Sequence, residues 1–200
     1  MKSLEELTGS EIVVESLKRQ GVKTLFYYSG GAILPTGDSL GEANIRLVSP
    51  LHEGIGMLAA GGYARATGKV GVAIDTSGPG GANCATGIAD AKLDSAPVVL
   101  ITGQVSTAAI GKDAFQETDM CGIMRPVTKH NYLVKDVNDL AKIIKEAFYV
   151  ASTGRPGPVH IDIPKDVQIA KTIPNFDKPV NLRGYKPEEY AKPDKGQLMK

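Results

Sequence analysis

VGVAIDTSGPGGANCATGIADAKLDSAPVVLIT, Val70–Thr102, decides the fold class. VGVAID is a continuous apolar run and reads as a strand, TSGPGGAN as a glycine-rich turn, CATGIADAKLD as a helix, and APVVLIT as a second strand. Neither apolar run alternates with polar residues, so neither belongs to a sheet with one wet face. Strands that are apolar on both faces and alternate with helices form a parallel sheet covered on both sides.

The same rhythm extends in both directions. Upstream, TGSE predicts a helix that Thr8 caps, with Glu11 three residues on closing a capping box. TLFYY then reads as a strand, SGGAILPTGDSL as a turn and short helix, and IRLVSP as another strand. LHEGIGMLAAGGYARATGK, Leu51–Lys69, reads as a helix punctuated by Gly68. Its interior glycines Gly54, Gly56, Gly61 and Gly62 cost about 2–4 kcal/mol against alanine, so something must approach this helix closely. Downstream, GQVSTAAIGKDAFQETDMCGIMRP reads as a long functional loop with a turn or two of helix. HNYLV, DVNDLAKIIKEAFYVAST and GPVHIDIP restore strand, helix and strand. The expectation is a doubly wound α/β domain over residues 1–165, with about six parallel strands, followed by an extended linker over 166–200.

Length and charge narrow the function. The chain of 200 residues carries a formal net charge of +1 with acids and bases interspersed, which excludes the basic stripe of a nucleic-acid-binding surface. No run approaches membrane-spanning length, and Cys84 and Cys121 fit neither a disulfide framework nor a metal-ligand spacing. A reducing cytoplasmic setting without membrane attachment is expected.

In open parallel sheets ligands bind beyond the carboxyl ends of the strands. That edge gathers Ser29–Gly31, His52–Glu53, Ser77–Asn83 and Gly103–Ser106. Glu53, in the first turn of its helix, is either a carboxylate complementing the helix dipole, worth about 0.3–1 kcal/mol, or an acid/base group kept for a ligand. TSGPGGAN lacks the third glycine of a dinucleotide loop and the Gly-Lys-Ser/Thr of a phosphate loop, so it reads as a tight turn. His52, His130 and His160 have no metal-like spacing, Asp113, Glu117 and Asp119 read as a solvated acidic loop, and GRPGP reads as a turn with an exposed arginine. No metal-ligating set is predicted.

Taken together, GYARATGKVGV, TSGPGGAN, ITGQV, IGKDAFQET, TKHNYLVKDV and STGRPGPVHIDIPKDVQ resemble the amino-terminal part of the catalytic subunit of the acetolactate synthase family, in register from about Thr8 to Gln168. The resemblance implies the pyrimidine-binding domain of an enzyme that uses thiamine diphosphate to condense pyruvate with a second 2-keto acid in branched-chain amino-acid biosynthesis. In that family the glutamate matching Glu53 hydrogen-bonds the aminopyrimidine ring and favours its imino tautomer, which deprotonates the thiazolium. The resemblance also implies catalytic positions at Gln116 and Gly31, and cofactor contacts from Ser29, Gly30, Pro79 and Asn83. Arg155 matches a contact to the FAD that the complete enzyme holds without redox use. Mg²⁺ and the diphosphate would be bound by a separate domain through a Gly-Asp-Gly…Asn motif, which this sequence does not contain. The implied partners are that diphosphate-binding domain on a neighbouring subunit, a second copy in a homodimer packed through the glycine-rich helices, and a regulatory small subunit. The isolated chain is expected to be catalytically silent.

The sequence departs from the family pattern near the proposed site. Tyr27 and Ser29 stand where the family has glycine and proline, HEGIG replaces HEQGA, GGYAR replaces DGYAR, and Ser106 replaces a proline. Three rival readings follow: a non-catalytic binding or regulatory module, the pyrimidine-domain subunit of another split thiamine-diphosphate enzyme, and a nucleotide-binding flavodoxin-like protein.

Overall fold

Thr8 starts the first helix as its spacing predicts. Its hydroxyl accepts the Glu11 amide, and the Glu11 carboxylate accepts the Thr8 amide at 2.7 Å. The computed structural model describes residues 5–187. In chain order these form β1 (Leu7–Thr8), α1 (Gly9–Arg19), β2 (Thr24–Tyr27), α2 (Leu34–Gly41), β3 (Arg46–Val48) and α3 (Glu53–Thr67). Next come β4 (Gly71–Asp75), α4 (Pro79–Asn83), α5 (Ala85–Leu93), β5 (Val98–Gln104) and α6 (Met120–Met124) with a 3₁₀ turn after it. The chain closes with β6 (His130–Leu133), α7 (Val137–Ser152), β7 (Val159–Pro164), α8 (Lys165–Ile169) and β8 (Lys171–Thr172).

Six strands form one parallel sheet in the order β3-β2-β4-β5-β7-β6. Alternate residues of β4 and β5 face opposite ways into two cores. Val72, Ile74, Val99 and Ile101 meet Ile12, Leu17, Ile144 and Phe148 of α1 and α7. Ala73, Val98 and Leu100 meet Met57, Ala60, Ala64 and Ile88 of α3 and α5. The expected doubly wound architecture is therefore observed, and the loops after β2 and β4 flank the point where the strand order reverses.

Two segments differ from the sequence expectation. The stretch read as a glycine-rich turn winds into helix from Pro79, because proline's fixed φ suits a first helical position. The stretch read as an extended linker, 166–200, is anchored at its start. The Gln168 side chain, fully buried, donates to Ala32 O at 2.7 Å and Ile163 O at 3.0 Å and accepts from Thr36 at 3.0 Å. β8 pairs antiparallel with β1, Phe176 packs against the core with Arg19 stacked 4.4 Å above its ring, and the Tyr185 hydroxyl meets Thr153. Residues 188–200 lie outside the described residues.

α3 accounts through its packing for two of its four interior glycines. Its bulk is small where it crosses the sheet: a Cβ on Gly71 would lie 2.1 Å from Ala60 O, so backbone rests on backbone. Gly54 and Gly56 meet this chain's own Asn83 O and Pro50 side chain, whereas Gly62 has nothing within 4 Å. Gly71→Ala should therefore destabilise the chain by about 1–3 kcal/mol through overpacking. Gly62→Ala should stabilise it by about 0.5–1 kcal/mol through helix propensity alone. Urea unfolding of both variants checks this pair, and equal effects of one sign would contradict the packing described.

Candidate functional site

Glu53 opens α3, immediately after His52, whose Nδ1 caps the helix by accepting the Gly54 amide at 3.1 Å. Glu53 is 9% exposed as a residue, and its carboxylate accepts Asn83 Nδ2 through Oε2 at 3.1 Å. Oε1 faces Gly80, where a Cβ would stand 3.0 Å away. α4 therefore supplies both the partner that orients the carboxylate and the bare backbone beside it. Pro79 and Asn83, predicted as cofactor contacts, are the first and last residues of that helix.

Across the strand reversal Gly30 lies against Thr76, whose side chain would be only 2.4 Å from a Cβ there. The Thr76 hydroxyl is buried without a hydrogen-bond partner. Ser29 Oγ receives Tyr27 O–H at 3.4 Å, and the same tyrosine hydroxyl occupies the space above Gly37. Gly31 is exposed with open space around it. Gln116 adopts a left-handed φ of 57°, a conformation that costs a non-glycine residue about 1–3 kcal/mol. Its carbonyl presses against Gly78, also at φ 57°, where any side chain would collide.

The structure thus brings Glu53, Asn83, Pro79, Gly30 and the Gln116 backbone to one edge of the sheet. Arg155 is elsewhere. It precedes β7 at the opposite edge, where it donates to Ser95 Oγ at 2.8 Å and Leu93 O at 3.3 Å.

Sequence reasoning passed over a layer of polar groups beneath the site. The Cys84 thiol donates to Asp75 at 3.2 Å in full burial. Desolvation, aided by the nearby Glu53 charge and opposed by that thiol, raises the Asp75 carboxyl to about 7. Burial and the adjacent carboxylate push the Cys84 thiol far above its ordinary value. Further along the edge, Thr102 O–H donates to Asp162 at 2.6 Å, so its oxygen accepts from His160 Nε2 at 2.7 Å when Asp162 is ionised. Gln104 Nε2 reaches both Asp162 and Thr118 O at 2.9 Å. Desolvation raises Asp162 to about 7 and lowers His160 to about 3, leaving His160 neutral with an unpartnered Nδ1. A signal for this layer was present: Asp75, Thr102 and Gln104 are polar residues towards the carboxyl ends of otherwise apolar strands, and His160 and Asp162 alternate with apolar residues in β7.

Comparison with known proteins gives a consistent picture. Residues 7–123 match the family model for the thiamine pyrophosphate enzyme, N-terminal TPP binding domain. The chain is 53% identical over 178 residues to an acetolactate synthase, chloroplastic, of Arabidopsis thaliana, covering 88% of this chain and 27% of that protein. It is 46% identical over 190 residues to a probable acetolactate synthase large subunit of Methanocaldococcus jannaschii, covering 94% of this chain and 32% of that one. It is 48% identical over 200 residues to an acetolactate synthase large subunit of Buchnera aphidicola, covering 98% and 35%. The chain thus spans 27–35% of the length of these relatives. No helix among the described residues is long and apolar enough to cross a membrane.

The buried Asp75 has a consequence for stability. It keeps its proton up to about pH 7 in the folded chain, whereas the unfolded chain releases it near the ordinary aspartate value. Between those values the folded state holds more protons, so stability falls as pH rises, by up to about 1.4 kcal/mol per pH unit. Asp75→Asn removes the effect: its stability gain over the parent should be absent near pH 4 and grow towards a plateau above pH 7. Urea unfolding across that range measures it, and a pH-independent difference would contradict a protonated buried Asp75.

Proposed function

The chain belongs to the thiamine pyrophosphate enzyme family as an N-terminal TPP binding domain, and on that premise we propose that it forms the pyrimidine-binding half of an acetolactate synthase. One observation carries this reading. A nearly buried carboxylate has one oxygen fixed by Asn83 and the other facing glycine, beside a buried threonine hydroxyl without a partner. A flat nitrogen heterocycle fits such a set, needing a carboxylate partner for a ring nitrogen and further polar groups beside it; Gly30 and Gly80 are bare because the Thr76 side chain leaves no room for a Cβ there.

Thiamine diphosphate, when bound, supplies the carbanion chemistry by which pyruvate loses CO₂ and adds to a second 2-keto acid. Glu53 holds and moves a proton at a pyrimidine nitrogen, and Asn83 keeps its carboxylate in one orientation. Gly30, Ser29 and Gly31 form the turn beside the ring, Pro79 launches the helix that carries Asn83, and Gln116 contacts the substrate. Mg²⁺ and the diphosphate are assigned, with the resemblance, to the diphosphate-binding domain of a neighbouring subunit. FAD in the complete enzyme is assigned to Arg155, away from Glu53.

The proposed partner surface is the outer face of α3. Ile55 and Leu58 are 56% and 43% exposed at helical spacing, in line with Gly62, and Leu51, just before the helix, is 94% exposed. This face supports contact with a second copy and with the diphosphate-binding domain of a neighbouring subunit. A regulatory small subunit belongs to the same proposal. Two free thiols, at Cys84 and Cys121, support a reducing compartment such as the cytoplasm, although the Arabidopsis relative is named as chloroplastic. The Tyr27 hydroxyl over Gly37 and Ser29 favours, as a second reading, a site with altered substrate range or a purely binding role.

Calorimetric titration with thiamine diphosphate and Mg²⁺ tests the proposal. The chain alone should bind weakly or not at all; addition of a diphosphate-domain partner should restore binding and acetolactate formation from pyruvate. Glu53→Gln in that complex should lower turnover by about 10²–10⁴-fold, the usual range for a lost acid/base group. Binding without turnover in the parent complex would favour the second reading. Full turnover of Glu53→Gln would remove its assigned role.

A further inference from the structure

The loop between β5 and α6 carries Gln116 and is fixed at each end. At its start the Thr107 amide and hydroxyl both donate to Asp166 of α8, the amide at 3.0 Å. At its finish Gln104 holds Thr118 O, and Asp119 caps α6 by accepting the Gly122 amide at 2.8 Å. Between these anchors the chain makes two left-handed turns at non-glycine residues, Asp113 at φ 53° and Gln116 at φ 57°, besides Gly111 at φ 79°. Left-handed φ is unfavourable for such side chains, and a free loop would escape it.

One side chain opposes that escape. The Glu117 carboxylate turns back and accepts three loop amides: Gly111 on Oε1, and Lys112 at 3.2 Å and Ala114 at 3.0 Å on Oε2. The Glu117 amide itself closes a turn onto Ala114 O at 2.9 Å. Charge-assisted bonds of this kind are stronger than neutral ones, and here they converge on the residue that follows Gln116. We propose that Glu117 is a positioning residue: by gathering these three amides it holds Gln116 in its left-handed conformation, with the Gln116 carbonyl seated on Gly78 at the mouth of the site. The reading as a solvated acidic loop gives way to a loop wound around its own carboxylate. The same amides hold the Glu117 carboxyl below its ordinary value, as a trapped carboxylate requires.

The idea rests on the proposed role of Gln116 only for its effect on turnover, so the experiment has two arms. In the isotopically labelled chain, the amide protons of Gly111, Lys112 and Ala114 should titrate together, with a midpoint below the ordinary glutamate value. Glu117→Gln should abolish that titration and move the backbone coupling and Cβ shift of Gln116 out of the left-handed range. An unchanged Gln116 signal in Glu117→Gln would overturn the proposal, whatever the enzyme does. In the complex that forms acetolactate from pyruvate, Glu117→Gln should lower kcat/KM for pyruvate by on the order of tenfold to a hundredfold, the cost of a misplaced contact. Thiamine diphosphate affinity and the urea midpoint of the fold should stay unchanged, and Glu117→Asp should restore part of the loss. A demonstrably released loop with unaltered kinetics would support the hold of Glu117 on Gln116 and overturn the proposed contact of Gln116 with substrate. If no complex forms acetolactate, the proposed function fails, while the first arm still decides what holds Gln116.

Discussion

The site depends on how closely α3 can lie on the sheet. At the crossing of α3 and β4, Gly71 offers only backbone to the Ala60 carbonyl, and a single methyl group would collide there. Because a helix moves as a rigid rod, that contact fixes the height and tilt at which its first turn emerges at the carboxyl edge. Glu53 is in that turn. Gly54, resting on Asn83 O, extends the same close fit to the helix that supplies the hydrogen-bond partner of Glu53.

Four carboxylates near this edge behave differently although the side chains are almost the same. Asp75 and Asp162 lie deep among apolar strands and hold their protons towards neutrality, because burial outweighs the few donors that reach them. Glu117 sits in the loop among backbone amides, which hold its carboxyl below the ordinary value. Glu53, nearly buried at the first turn of α3, has one oxygen bonded to Asn83 and the other facing Gly80. Burial and donor count sort one chemical group into structural, loop-holding and ligand-facing uses.

Much of the candidate site could be read in advance from residue type and position. Glu53 falls where a strand ends and a helix begins, which sequence patterning locates; Pro79 and Asn83 come from the resemblance alone, in a stretch read as a turn that the structure winds into helix. Gln116 was identified by resemblance, but its left-handed backbone was not visible, since that conformation is imposed by Glu117 and Gly78 rather than by local preference. The structure separates Arg155 from the rest because its neighbours, Leu93 and Ser95, precede a strand whose other end faces the site. Gln168 escaped notice for a related reason: a polar residue in a proline- and lysine-rich stretch gives no sign that three of its hydrogen bonds lie inside the domain.

The sequence by itself determined the six strands of the parallel sheet, the main helices between them and the caps at Thr8 and Gly68. Those features depend on apolar runs, helical periodicity and short-range hydrogen bonds, all of which act between residues close in the chain. Only the tertiary structure decided which glycines meet backbone, which polar residues lose water, and which loop carbonyl rests on which turn. Those outcomes depend on contacts between residues far apart in the chain, as from Ala32 to Gln168 or from Thr102 to Asp162. Distance in space fixes them, and spacing along the chain carries no record of it.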